Sequence, residues 1–263
     1  MMKNTLNTEK IKAALGKLGT VADLYVFDSI DSTNSYAKNY AKSTESKMPV
    51  IFVAAEQSAG RGTRGRSFIS RNGAGLYMSI LFYPEKGITP ADVTVYCAVK
   101  ACEAIDSLCS LRPGIKWVND LYVNGKKLSG ILTEGSLDEN GLAYAVCGIG
   151  INTHGTELPT EIADIATSIE KECGEDVSRE ELCARIASGF LNSAHEIGSR
   201  RVIEEYRARS VLIGREVTVS HADGTQFSAK VLEILDTGAL LVEDEYKKRH
   251  ELQSADVSLK IHK

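Results

Sequence analysis

Apolar positions recur along the chain with two alternating periods, and together they predict strands and helices in succession. Ile11, Ala14, Leu15 and Leu18 sit at helical spacing over 8–18, and Gly19 closes that helix. A first strand is expected over 23–27 and a second over 51–55. Between them lies a helix over 35–42, with Tyr36, Ala37, Tyr40 and Ala41 on one face and Asp31, Ser32 or Thr33 as its cap. Residues 76–83 read as a third strand. Thr89 followed by Pro90 reads as a cap and first helical residue for a long apolar helix over 93–108. The stretch 115–123 reads as one strand that turns at Asn124-Gly125 into a return strand beginning at Lys126. A strand over 142–151 follows the turn at 138–141. Helices are expected near 161–173 and 178–210, the second broken near Gly198. Short strands over 215–220, 225–235, 239–243 and 256–261 end the chain.

That change of pattern divides the chain at about Leu212: a large domain over 1–211 and a small all-β unit over 212–263. The latter is too short to hold much core of its own and is therefore expected to dock on the first. With 263 residues, 43% hydrophobic and 25% charged, the sequence is that of a soluble globular protein. Its net charge of -4 excludes a broad nucleic-acid face. No segment is long and apolar enough to cross a bilayer, and the polar start lacks an export signal. The six cysteines form no C-x-x-C pair and have no metal-ligand spacing with the five histidines, so they read as small buried residues in a reducing cytoplasm. No protein-only metal site is expected.

Against this acidic background the stretch 56–68, Glu-Gln-Ser-Ala-Gly-Arg-Gly-Thr-Arg-Gly-Arg-Ser-Phe, is locally basic. Gly60, Gly62 and Gly65 spell G-x-G-x-x-G, but a strand rather than a helix follows, which removes the dinucleotide-binding reading. Two readings stay open: a solvated basic loop, or a lid offering backbone N–H groups and the guanidinium groups of Arg61, Arg64 and Arg66 to an anion. Further along, a hairpin at Asn124-Gly125 would bring Asn119 or Asp120 close to Lys127 and Ser129. That pair is either a surface ion pair or part of a site. Gly148 and Gly150 inside a strand mark a close approach by backbone or ligand. Asn152, at the strand end, presents its amide either to a base edge or to a turn.

Together, Asp-Ser-Thr-Asn at 31–34, Glu-Gln-Ser-Ala-Gly-Arg-Gly at 56–62 with Arg-Gly-Arg at 64–66, Lys-Trp-Val-Asn-Asp at 116–120, Lys-Leu-Ser-Gly-Ile-Leu at 127–132 and Gly-Ile-Gly-Ile-Asn at 148–152 resemble the biotin protein ligases. Within that family the chain is similar to the group without an amino-terminal DNA-binding domain. The resemblance implies an α/β fold of the α+β type: a mixed, antiparallel-rich sheet with helices, followed by a small SH3-like β-barrel. It implies activation of biotin by ATP and Mg²⁺ as biotinyl-5'-AMP, then transfer to a lysine of a biotin carboxyl carrier domain of acetyl-CoA carboxylase or a related carboxylase. Lys127, Arg61 and Asp120 are the implied catalytic residues, Asp120 orienting the incoming amine.

Implied biotin contacts are Ser32, Thr33, Asn34, Gln57, Gly60, Arg61, Gly62, Thr63, Lys127 and Gly130. Implied adenylate contacts are Arg61, Arg64, Arg66, Phe68, Asn119, Lys127 and Asn152. Two positions depart from the family pattern: Thr63 stands where many members carry arginine, and Val118 where proline is usual. Homodimerisation is expected, direct DNA binding and membrane association are not. The alternatives are a lipoate or octanoate ligase of the same architecture and a non-enzymatic biotin-sensing regulator.

Overall fold

The computed structural model describes residues 5–139, 141–154, 162, 164–221, 224–253 and 257–261. Helix α1 (Thr8–Lys17) starts at Asn7, whose side chain accepts from the Lys10 N–H, and buries Ile11, Ala14 and Leu15. Strand β1 (Asp23–Phe27) runs parallel to β2 (Val50–Ala54), and α2 (Thr33–Ser43) crosses between them. Ser32 is the cap of α2, its hydroxyl accepting from Ser35 N–H at 3.4 Å. Strand β3 (Gly75–Phe82) leads to α3 (Pro90–Asp106), where Thr89 and Asp92 form a reciprocal capping box ahead of Pro90. Then come β4 (Gly114–Lys116), β5 (Asp120–Val123), β6 (Lys126–Asp138) and β7 (Gly141–Asn152). These strands form one sheet in the order β1-β2-β3-β7-β6-β5-β4, antiparallel except for the first pair.

After β7 come α4 (Ile169–Cys173), α5 (Arg179–Asn192) and α6 (Arg200–Ala208). The last two are separated by Gly198 at φ +77°, where the sequence places a break. A second sheet follows: β8 (Glu216–His221), β9 (Gln226–Ile234), β10 (Leu240–Asp244), β11 (Arg249–Leu252) and β12 (Val257–Ile261), all antiparallel in the order β11-β10-β9-β8-β12. Val217, Val219, Val231, Ile234 and Leu240 of this sheet belong to the same hydrophobic core as Ile80, Val99 and Ile186 of the main domain. The small unit is docked, as its size requires. Trp117 marks the seam, its indole N–H donating to the Gly238 carbonyl at 2.8 Å.

Three expectations are corrected. The stretch 115–123 is two strands: Lys116 pairs with Asp120, and the residues between them turn. Alternation alone does not reveal this because the turn is held by distant partners. Besides the Trp117 bond, Tyr206 donates to the Val118 carbonyl at 2.8 Å and Asn119 donates to Ile131 O at 2.8 Å. The helix expected near 161–173 is, among the described residues, only α4. Residues 155–161 and 163 lie outside them, and the segment before α4 pairs with β6 instead, Lys127 N–H donating to Ile165 O and Thr167 N–H to Lys127 O. Strand β11 was not expected at all, since Arg249, His250 and Glu251 present a polar run. Pairing with β10 and a 2.7 Å contact between His250 and Asp244 hold it.

The main sheet has two unlike faces. One packs on α3 and α5, against which α6 and α1 pack in turn, and buries Leu76, Ile80, Cys147, Ile149 and Ile151. The other carries a small cluster under α2, built on Ala37, Val50, Phe52, Leu81 and Val146. Because side chains alternate along a strand, that second face also receives Tyr77 and Ser79 of β3, Gly148, Gly150 and Asn152 of β7, and Gly130, Leu132 and Glu134 of β6.

Candidate active site

Three glycines make the floor of a hollow on this second face. Gly130 pairs with Gly150, and Leu132 with Gly148, across β6 and β7. A Cβ at Gly150 would lie 2.5 Å from Phe68, and one at Gly148 would lie 2.1 Å from Asn34 Oδ1. One at Gly130 would meet Lys127 Nζ at 3.2 Å and Phe68 at 3.4 Å. The strand glycines thus mark close approach, and what approaches is three side chains from other parts of the site.

Residues 60–68 close on themselves above this floor. Gly62 N–H donates to Arg66 O at 2.7 Å, Phe68 N–H to Gly60 O at 2.9 Å, and residues 63–65 form a short 3-10 turn. Gly65 takes φ +72°, a left-handed angle that favours glycine. Arg66 donates to Thr63 Oγ1 at 3.3 Å, so the hydroxyl at that departing position serves the loop itself.

Between loop and floor lies a cavity of about 330 Å³, within the size range of small-molecule sites. One end is uncharged. Ser32, Thr33 and Asn34 enter from the start of α2, and Gln57 from the end of β2. Gln57 Oε1 accepts from Thr33 N–H at 2.9 Å and lies 3.1 Å from the Thr33 hydroxyl oxygen. The other end is cationic, with Lys127 from β6, Lys116 from β4 and Arg66 from the lid near one another, while Arg61 stands nearer Asn34, both contacting Glu134. Asp120 is the carboxylate among them. Lys127 Nζ lies 2.7 Å from Asp120 Oδ1, yet that oxygen has no hydrogen-bond partner, so the contact is an ion pair without an aligned hydrogen bond. The sequence-expected proximity of Asp120 and Lys127 is therefore met inside a cavity rather than on an open surface.

Fourteen of the expected residues line one common space: Ser32, Thr33, Asn34, Gln57, Arg61, Gly62, Thr63, Arg66, Phe68, Asn119, Asp120, Lys127, Gly130 and Asn152. Gly60 does not line it. A Cβ there would sit 2.3 Å from Phe68 O and 2.6 Å from Ser70 Oγ, so this glycine allows the two ends of the lid to pack. Arg64 lies in the 3-10 turn, and its side chain falls outside the described part. Asn152 donates to the Thr167 carbonyl at 3.0 Å, fifteen residues along the chain, which ties the segment before α4 to the cavity wall rather than closing a local turn.

Lys116, Tyr122, Ser79 and Glu134 were given no role from sequence. Burial lowers the Lys116 pKa, Asp120 opposes that, and the nearby charges of Lys127 and Arg66 lower it further. Burial pushes the Tyr122 phenol up to about 12. Glu134 ion-pairs with Lys38 at 2.6 Å and Arg61 at 3.2 Å and accepts from Asn34 at 3.1 Å. Burial alone would raise its pKa, but hydrogen bonds from Lys38 and Asn34 and the charges of Lys38 and Arg61 outweigh burial and lower it. A lone hydroxyl in the apolar strand 76–83 was the available signal for Ser79. Nothing local marks Glu134, whose partners come from α2 and the lid.

A cavity with a neutral hydrogen-bonding end and a cationic end suits a ligand that is polar and uncharged at one end and anionic at the other. Residues 26–152 match the model of the biotin/lipoate A/B protein ligase family. The bifunctional ligase/repressor BirA of Bacillus subtilis is 32% identical over 244 residues, which span 90% of this chain and 74% of that protein. A biotin–[acetyl-CoA-carboxylase] ligase of Paracoccus denitrificans is 31% identical over 81% of this chain and 90% of its own. In three dimensions, the biotin protein ligase of Aquifex aeolicus solved with biotin and ATP superposes with a TM-score of 0.78 at 26% identity, over 92% of this chain and all of that one. The fold is that of the biotin protein ligases. This chain belongs to the biotin/lipoate A/B protein ligase family.

Proposed function

We propose that the protein is an ATP-dependent biotin–protein ligase that forms biotinyl-5'-AMP and transfers the biotinyl group to a lysine of a carrier domain. The observation that carries this reading is that Thr33 and Gln57 line one cavity together with Arg61, Arg66, Lys116 and Lys127. In the first step a biotin carboxylate oxygen attacks the α-phosphorus of ATP, a carbon-bound oxygen to phosphorus bond forms, and pyrophosphate leaves. Two anions must meet for this, and Lys127 and Arg61 offset their repulsion where charge builds up. Arg61 reaches the ligand by exchanging its contact with Glu134 for one with the ligand. Asn119, Asn152 and Phe68 border the space assigned to the nucleotide, and closure of the 60–68 lid excludes water from a hydrolysable mixed anhydride.

In the second step the lysine amine of the carrier attacks the biotinyl carbonyl and AMP departs. A free lysine at pKa about 10.4 is almost wholly protonated at neutral pH. Asp120 orients the amine and eases loss of its proton, because its Oδ1 is buried and its ion pair with Lys127 leaves that oxygen open to a directed donor. Among the described residues no three His, Cys, Asp or Glu side chains could hold a metal on their own, so a magnesium ion would have to come bound to the phosphates of ATP. Asp120, the one carboxylate among the described residues lining the cavity, is paired with Lys127.

The names of the Paracoccus denitrificans relative and the Aquifex aeolicus structure favour biotin over lipoate or octanoate as the acyl substrate. The acceptor class is a biotin carboxyl carrier domain. Among the described residues no helix is long and apolar enough to cross a membrane, and a cytoplasmic location is our reading. The direct test is incubation with ATP, an apo carrier domain and either biotin or lipoate, followed by mass spectrometry of the carrier. Addition of biotin with release of AMP is expected; addition of lipoate alone would overturn the assignment.

A further inference from the structure

The neutral end of the cavity is held from below by a hydroxyl that lies outside it. Ser79 sits in β3 between Met78 and Ile80 and is fully buried. Its Oγ lies 2.6 Å from Asn34 Oδ1 and 2.7 Å from Thr33 Oγ1. Counting protons fixes the direction of each bond. The Asn34 amide points its Nδ2 at two acceptors, the Leu132 carbonyl at 3.2 Å and Glu134 at 3.1 Å. Its Oδ1 therefore faces Ser79, and a carbonyl oxygen only accepts, so the Ser79 proton goes to Asn34. With its one proton used, Ser79 can meet Thr33 only as an acceptor. The Thr33 hydroxyl then donates to Ser79 at 2.7 Å in preference to Gln57 Oε1 at 3.1 Å.

Gln57 is oriented independently of this chain. Its Oε1 faces the Thr33 N–H, and its Nε2 donates to Ser70 Oγ at 2.9 Å, which in turn donates to Phe68 O at 3.1 Å. The consequence is that Thr33 Oγ1 and Gln57 Oε1, side by side in the cavity, both retain lone pairs and no spare proton.

We propose that Ser79 is a positioning residue that sets the donor–acceptor polarity of this end of the cavity, making Thr33 Oγ1 an obligate acceptor for a ring N–H of a cyclic urea. The proposal rests on the biotin reading above, since the cyclic urea of biotin supplies such N–H donors. Without Ser79, Asn34 Oδ1 loses its donor, and the Thr33 proton turns either to Gln57 Oε1 at 3.1 Å, taking a lone pair that oxygen otherwise offers to the ligand, or to the ligand itself, where it opposes an N–H.

The test is calorimetric titration with biotin together with steady-state kinetics on the wild type, Ser79→Ala and Ser79→Cys. For Ser79→Ala, biotin Kd and KM are expected to rise about tenfold to a hundredfold, as when a buried hydrogen-bond partner is deleted, while kcat and the KM for ATP change by less than about twofold. Ser79→Cys, a near-isosteric weak donor, should fall between wild type and Ser79→Ala. A merely structural role would move the two substrates together, so equal losses for biotin and ATP overturn the proposal, as does wild-type biotin affinity in Ser79→Ala. Should that variant not fold, wild-type affinity in Ser79→Cys overturns it equally. Absence of biotin binding by the wild type would instead overturn the ligase reading itself.

Discussion

The lid and the floor of the cavity are both rich in glycine and use it for opposite purposes. In the lid, Gly65 needs only its left-handed backbone angle, for a Cβ there would meet nothing within 4 Å. On the floor, Gly148 and Gly150 lie in the regular ladder between β3 and β6. What they provide is vacant volume, filled by Asn34 and Phe68. The lid's glycine shapes the main chain locally, whereas the floor's glycines let side chains from α2 and the lid descend onto the sheet. The floor therefore fixes side chains on the sheet, and the lid brings its own side chains over them on a loop.

If that division is right, removing a cation from the floor should harm activity more than removing one from the lid. Lys127 stands on β6 beside Gly130, while Arg66 is held by its own loop through Thr63. Lys127→Ala should slow adenylate formation by about 10²–10³-fold, the scale of deleting one preorganised group that stabilises a transition state. Arg66→Ala should cost about tenfold, nearer to one charge-assisted hydrogen bond. Biotin-dependent exchange of pyrophosphate into ATP measures both, with circular dichroism to confirm folding. Equal losses would remove the distinction between floor and lid.

The next effect in size comes from filling the floor. In Gly150→Ala the new methyl would stand 2.5 Å from the Phe68 ring. The ring has to leave, taking the end of the lid with it, because Phe68 N–H donates to Gly60 O. Overpacking of this kind costs about 1–3 kcal/mol, and activity should fall about tenfold or more as the lid is displaced. Pairing it with Phe68→Ala should restore the thermal midpoint without restoring activity. Recovery of both would mean that Phe68 packs against the floor but does nothing for the reaction.

What the sequence disclosed follows the same line between local and distant causes. The Thr89–Pro90 start of α3, the Asn124-Gly125 hairpin and the break at Gly198 are written in neighbouring residues, and the structure places them as expected. The motifs at 31–34, 56–66, 116–120, 127–132 and 148–152 brought most of the lining residues to attention. What stayed hidden depends on partners far along the chain. The turn at 117–119 is held by Tyr206, Gly238 and Ile131, the polar strand β11 is held by β10, and Glu134 acquires its meaning from Lys38 and Arg61. Gly60 was legible as part of a ligand-binding motif, yet its surroundings are Phe68 O and Ser70 Oγ rather than the cavity.

The smallest effect is expected where glycine acts only through its backbone. Gly65→Ala meets no obstruction, so its cost is that of holding a side-chain-bearing residue at φ +72°, about 1–2 kcal/mol. Much of that cost is confined to the 63–65 turn, so thermal stability should fall slightly and adenylation by less than Gly150→Ala causes. Asparagine visits the left-handed region more readily than alanine, hence Gly65→Asn should recover most of the difference. Melting curves and pyrophosphate exchange on the two variants decide the matter. If Gly65→Ala proves as damaging as Gly150→Ala, or if asparagine gives no recovery, the lid cannot be a loop shaped by one backbone angle, and its contacts to the floor must carry its conformation instead.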